Sequence, residues 1–198
     1  MAVRLGASAL GLVSEMPSGP GVIPEALIAA IAAAVPPPIG KFLLTSRTDP
    51  AEIAAQQQRC GVDTVQICDR LPSGGHAMLR RSLPGISLIQ VIHVTNQDSL
   101  PEALEVARWV DALLLDSGNQ SLPVKELGGT GRTHDWLLSD QIVKKSPVPV
   151  FLAGGLTAAN VGEAIQSVRP FGVGVRTCGA LDEQKLHQFM AAVSAATQ

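Results

Sequence analysis

Polar residues that can move protons or hold anions stand directly after short apolar runs in this chain of 198 residues. Leu113-Leu114-Leu115-Asp116-Ser117 ends such a run on a carboxylate. Burial disfavours the charged form of a carboxyl group, and an acid that keeps its proton near neutral pH suits general-acid work. An isolated Asp there could equally cap its own loop. Gly128-Gly129-Thr130-Gly131-Arg132-Thr133-His134-Asp135-Trp136 sets three glycines beside Arg and His. Its amides, with Gly129 and Gly131 as candidates, can approach a ligand, and Arg132 and His134 could meet an anion. The run reads as a loop that closes over a site. It lacks the Lys-Ser/Thr of a nucleotide P-loop, and a plain surface turn is the competing reading. Phe151-Leu152-Ala153-Gly154-Gly155-Leu156-Thr157 reads as a strand, a Gly pair and a helix start. Free N–H groups at a helix terminus bind phosphate, which makes Gly154 and Gly155 the candidate turn.

The remaining reactive side chains are sparse. Cys60 reads as structural. Cys68 ends an apolar run and Cys178 follows one, so either could face a site, although a small apolar filler is the plainer role for each. Among the four His, His76 and His187 read as solvated, and His93 stands at a strand end. None has metal-ligand spacing, so no metal is expected. Lys125, Lys144 and Lys145 do not stand at strand ends, which leaves Schiff-base chemistry on a phosphosugar without a candidate.

These groups need a scaffold that brings strand ends together. Seven apolar runs read as strands: Ser8–Val13, Ile39–Thr45, Thr64–Cys68, Leu88–Val94, Ala112–Asp116, Val148–Ala153 and Phe171–Val175. They are apolar throughout rather than alternating, as in parallel strands covered on both faces. Helical stretches alternate with them: Pro24–Val35, Asp49–Cys60, Gly75–Leu83, Ser99–Val110, Asp135–Lys145, Thr157–Val168 and Leu181–Ala195. Asp49 before Pro50 and Gly61 after Cys60 are start and stop signals. Ser99 with Glu102 has capping-box spacing. Alternating strands and helices imply a parallel α/β fold, either a β/α barrel or an open doubly wound sheet. In both, sites lie at the carboxyl ends of the strands, where the polar residues above stand.

Composition narrows the partners. Apolar residues make up 46% and charged residues 16%, which excludes intrinsic disorder. Fifteen basic against seventeen acidic residues give a net charge of −2, so nucleic acid and anionic membrane surfaces are not expected partners. Aromatics are 3% with no Tyr, a poor base-stacking platform. Three Cys form no disulfide framework. No apolar run reaches the ~18 residues of a membrane helix. One domain over residues 1–198 and a cytoplasmic location are expected.

The segments Leu113–Ser117, Gly128–Trp136 and Leu152–Val161, in this order, resemble the phosphoribosylanthranilate isomerase family of tryptophan biosynthesis. The resemblance runs from about residue 5 to the C-terminus. It implies a (β/α)8 TIM-type barrel, of which seven βα units are visible here and the first strand is missing. Met1–Gly6 resembles the end of the family's first helix. The implied reaction is an Amadori rearrangement, an intramolecular aldose–ketose isomerisation of N-(5'-phosphoribosyl)anthranilate. Asp116 matches the family's general acid, and Gly154 and Gly155 match its phosphate turn. A small phosphorylated substrate, no cofactor and a homodimer covering the open seam are implied.

Three departures mark this chain. The family's general-base Cys, on a first strand reading Lys-Ile-Cys-Gly, has no counterpart, which leaves Cys68, Cys178 and His93 as replacement candidates. The family's Arg after its second strand, on the anthranilate carboxylate, gives way to Pro17-Ser18-Gly19-Pro20-Gly21. The last strand ends Gly174-Val175-Arg176-Thr177-Cys178-Gly179 instead of in an Asp-Val-Ser-Ser-Gly type segment. A non-catalytic paralogue that binds a phosphorylated sugar or similar anion is the alternative reading.

Overall fold

The computed structural model describes residues 1–19, 21–176 and 182–197. Seven strands form one sheet in sequence order: β1 Ala9–Val13, β2 Gly40–Thr45, β3 Thr64–Ile67, β4 Ser87–His93, β5 Ala112–Asp116, β6 Val150–Leu152 and β7 Gly172–Val173. Every neighbouring pair is parallel. The connecting helices are α1 Glu25–Ala34, α2 Pro50–Cys60, α3 Gly75–Ser82, α4 Ser99–Val106, α5 Trp136–Lys145 and α6 Val161–Val168, and α7 Glu183–Ala196 ends the chain.

Strict sequence order decides between the two architectures. A doubly wound sheet reverses its strand order at a switch point, whereas this sheet does not reverse and curls as a barrel does. Its two ends approach each other. Gly6, which ends the 3-10 turn Ala2–Leu5, lies against Met190 of α7. Gly19, in the loop after β1, lies against Arg176, just past β7. Among the described residues β1 and β7 are the outer strands and do not pair. The fold is thus of TIM-barrel type, with seven strands among the described residues.

The central strands β3, β4 and β5 are buried on both faces, which explains their apolar runs, whereas β1 and β7 at the open edges are mostly half-buried. Leu113 and Leu115 of β5 join Leu88 and Ile92 of β4 in the core beneath the helices. Ala112 and Leu114 join Ile89 and Val91 in a second cluster on the concave face. Period-two alternation therefore sorts two apolar sets, and full burial of each Leu or Ile is worth about 1.5–3 kcal/mol. The same alternation brings His93 and Asp116 onto the concave face as partners in register at the ends of β4 and β5.

Helix ends follow their side chains. Asp49 accepts from the amides of Ala51 and Glu52 at the start of α2, and Gly61 ends that helix in the left-handed conformation. The capping box expected at Ser99 does not form. Asp98 is the N-cap of α4, because the Ser99 hydroxyl is turned to the His93 carbonyl and accepts from the Thr95 amide. Helix α6 begins at Val161 rather than Thr157. The Asn160 side chain holds the intervening turn, accepting from the Thr157 amide and donating to the Gly155 carbonyl.

Candidate active site

Asp116 stands half-buried at the mouth of the curled sheet. Its Oδ1 accepts from the Ser117 amide at 2.6 Å, which fixes the carboxylate across the strand end. Two glycine segments close on it from opposite sides. A Cβ on Gly154 would lie 2.9 Å from Oδ1, and a Cβ on Gly128 would lie 2.6 Å from Oδ2. Both contacts are closer than a side chain tolerates, so glycine is required for the backbone to reach the acid. The Ser117 hydroxyl bonds that of Thr130 at 2.6 Å, which ties the strand end to the loop above it.

Gly154 and Gly155 both adopt positive φ, 84° and 62°. Consecutive left-handed residues turn successive amides to one side, the arrangement that forms an anion-binding nest. Among the described residues the amides of Gly154, Gly155 and Leu156 have no backbone acceptor. A Cβ on Gly155 would lie 2.5 Å from the carbonyl carbon of Arg132, so the 128–134 loop lies directly over this turn. The Arg132 side chain leans away and pairs with Glu126. Gly131 is exposed and a Cβ there would meet nothing within 4 Å.

Two of the three candidate bases lie among the described residues. Cys68 is 1% exposed. Burial pushes its thiol up to about 12, opposed by a hydrogen bond from Gln66 and reinforced by the charge of Asp116. It is therefore a protonated thiol at neutral pH. His93 is buried, with Nε2 bonded to the Cys68 carbonyl at 3.0 Å. A carbonyl oxygen accepts, so Nε2 carries hydrogen, and Nδ1 has no partner among the described residues. Gly118 lies directly on that ring edge. Cys178 lies outside the described residues.

Several groups at the mouth were not legible from residue order. Lys125 does not stand at a strand end, but its side chain reaches Asp69 after β3, Nζ to Oδ2 at 2.6 Å. This pair, with Glu15, Met16, Pro17 and Ser46, lines a cavity of about 310 Å³. Arg176 extends from the end of β7 to Gly129, donating from Nη2 to its carbonyl at 3.3 Å. His134, which the sequence did single out as a candidate for an anion, is folded under the glycine loop and bonds Ser139 through Nε2 at 2.9 Å. Desolvation holds its imidazole below the ordinary value, against the raising effect of Asp116 and Asp135.

A curled parallel sheet with outer helices, an acid at one strand end and a glycine turn with free amides at the next defines a β/α-barrel protein with its polar groups at the carboxyl ends of the strands. The family model described as N-(5'phosphoribosyl)anthranilate (PRA) isomerase matches residues 44–192. The chain is 36% identical to N-(5'-phosphoribosyl)anthranilate isomerase 2 of Methanosarcina mazei, over 96% of this chain and 86% of that one. The solved phosphoribosyl anthranilate isomerase of Thermotoga maritima superposes with a TM-score of 0.81 at 25% identity, covering 98% of this chain and 91% of that one. Another phosphoribosyl anthranilate isomerase, solved in complex with reduced 1-(o-carboxyphenylamino)-1-deoxyribulose 5-phosphate, superposes with a TM-score of 0.78 at 22% identity, covering 98% of this chain and 91% of that one. The chain belongs to the N-(5'-phosphoribosyl)anthranilate isomerase family.

Proposed function

We propose that the chain isomerises N-(5'-phosphoribosyl)anthranilate to the corresponding 1-deoxyribulose 5-phosphate. The observation that carries the proposal is Asp116, held between the Gly154–Gly155 turn and the Gly128 backbone. A phosphate seated on the turn brings the furanose ring over the carboxyl group. Asp116 delivers a proton to the ring oxygen, the C1–O bond breaks toward that oxygen, and the nitrogen lone pair forms the C=N bond. A base then takes the C2 proton, and the electron pair forms the C1=C2 enolamine. Proton return to C1 with loss of the C2 hydroxyl proton gives the ketose. Charge develops and is discharged on the substrate itself, so the sequence needs no cofactor.

His93 takes the base role in this proposal. Its Nδ1 offers a lone pair on the concave face, one strand from Asp116. Gly118 must lift from the ring for the substrate to reach it, which makes the 118–134 loop part of the catalytic cycle. That cover is also the observation on the side of a non-catalytic binder of phosphorylated sugars. Turnover separates the two readings. Loss of anthranilate fluorescence on adding N-(5'-phosphoribosyl)anthranilate is expected, together with a strong loss of rate in His93→Gln. Binding of ribose 5-phosphate by well-folded protein without turnover would replace the isomerase with the binder. The homodimer belongs to the same proposal, with a sedimentation mass twice that of the chain expected. No helix among the described residues is long and apolar enough to cross a membrane.

A further inference from the structure

The loop between β5 and α5 is a strap across the mouth of the barrel. It begins after Asp116, and Gly118 at once lies on the His93 ring at the end of β4. A Cβ on Gly118 would fall 2.3 Å from Nδ1, the ring nitrogen without a partner among the described residues. The amides of Asn119 and Glu126 then donate to each other's carbonyls at 2.8 and 3.0 Å, an antiparallel bridge that folds this part of the loop into a small hairpin. From the hairpin the Lys125 side chain reaches past β4 to the loop after β3, Nζ to Oδ2 of Asp69 at 2.6 Å. The Lys125 carbonyl accepts from the Ser18 hydroxyl, in the loop after β1, at 2.6 Å. The strap thus starts on β5, covers the imidazole on β4 and is fastened at the far side of the mouth.

The two halves of the ion pair differ. Asp69 is buried and fixed to the barrel. Its Oδ1 accepts from the Arg70 amide at 2.8 Å, and its carbonyl accepts from Nε2 of the buried Gln90 at 3.0 Å. The Lys125 side chain is half-exposed and belongs to the strap. It is the one cation that pairs with Asp69 among the described residues, because the adjacent Arg70 turns away to Glu102. Parting the pair leaves a nearly buried carboxylate without a counter-charge, a cost that the neutral bond at Ser18 does not carry. The cavity of about 310 Å³ that the pair lines gives the lysine stem room to move without disturbing a strand. We propose that the Lys125–Asp69 ion pair is the latch that holds Gly118 over His93, and that it parts whenever a molecule reaches Nδ1. A latched strap lowers the apparent affinity of any occupant by the fraction of chains that stand open. The latch concerns access to His93, whatever reaction follows, and so goes beyond the isomerase reading.

The test reads the reactivity of each histidine of the full chain toward diethyl pyrocarbonate, with the modified positions assigned by mass spectrometry. The exposed His187 is the reference. In the wild type His93 should react far more slowly than His187. Lys125→Met keeps the stem and removes the charge, and should speed His93 by about tenfold, the low end for a hydrogen bond between charged groups. Asp69→Asn should do the same, and the double variant should add little to either, because both remove one interaction. Lys125→Arg should stay near the wild type. His187 should not change in any of them. An unchanged His93 rate in Lys125→Met would overturn the proposal, as would additive effects in the double variant. So would a wild type in which His93 reacts as fast as His187. Equal acceleration of His76, whose Nε2 is bonded to Gln90 away from the strap, would show a loosened fold instead of a released latch and would count against it too. Should Asp69→Asn not fold, Lys125→Met and Lys125→Arg decide the matter alone. Faster His93 modification in a chain that turns over no N-(5'-phosphoribosyl)anthranilate would keep the latch and remove the isomerase reading.

Discussion

The backbone of Gly128 lies against the carboxylate of Asp116, so that a methyl group on Gly128 would fall 2.6 Å from Oδ2. The acid is consequently held from both sides by main chain, and its position depends on what the neighbouring turns lack. Gly154 does the same at Oδ1, with φ of 84°. Gly154→Ala is expected to cost about 1–3 kcal/mol of stability through its left-handed backbone. It should also displace the carboxylate, so that kcat falls beyond what the fraction folded accounts for. Urea unfolding and turnover on the same preparation check this.

Cys68 sits under the concave face, with its thiol pushed up to about 12 by burial. Cys68→Ala should leave the shape of the pH–rate profile unchanged and lower stability by about 1 kcal/mol. A thiolate acting as base would instead take one limb of the profile with it when removed. Rate measured across neutral pH distinguishes these outcomes.

His134 makes stability depend on acid. Burial holds its folded-state imidazole below the ordinary 6.5. As pH falls, the unfolded chain therefore binds this proton first, and the folded state loses ground. The contribution is whole above about pH 6.5 and shrinks as pH drops below it. His134→Phe keeps the ring and removes the proton site. Urea midpoints should fall less between about pH 7.5 and about pH 5.5 in this variant than in the wild type. An equal fall in both would show that His134 does not titrate in that window.

Asp135 links the glycine loop to α5 by accepting from the amides of Leu137 and Leu138. Asp135→Ala is expected to lose about 0.5–2 kcal/mol. The loss should appear as faster amide exchange at the start of α5, and an unchanged exchange rate there would count against the cap.

How much of this was readable from residue order follows from the range of the forces. All seven strands stood out because both faces of each are apolar, and Ala112–Asp116 kept its expected ends. Val150–Leu152 and Gly172–Val173 are shorter than their apolar runs, because ladder pairing rather than hydrophobicity ends a strand. The Ser99 cap failed because a tertiary partner, the His93 carbonyl, took the hydroxyl. Asp116 and the Gly154–Gly155 turn were legible as local patterns at strand ends. Arg176 was not, because what marks it is contact with glycines far away in sequence, Gly129 and Gly19. The Lys125–Asp69 pair joins two loops in the same manner.

Asp116 is the proton donor in the proposed isomerisation. Steady-state turnover of N-(5'-phosphoribosyl)anthranilate by the wild type and by Asp116→Asn tests it most directly, with binding of the reduced product analogue measured on both. The amide can still accept from the Ser117 N–H, so the fold should persist and the analogue should bind within about tenfold. Turnover should fall by about 10²–10⁴. Equal turnover by the two proteins, or none by a wild type that binds the analogue, would contradict the account.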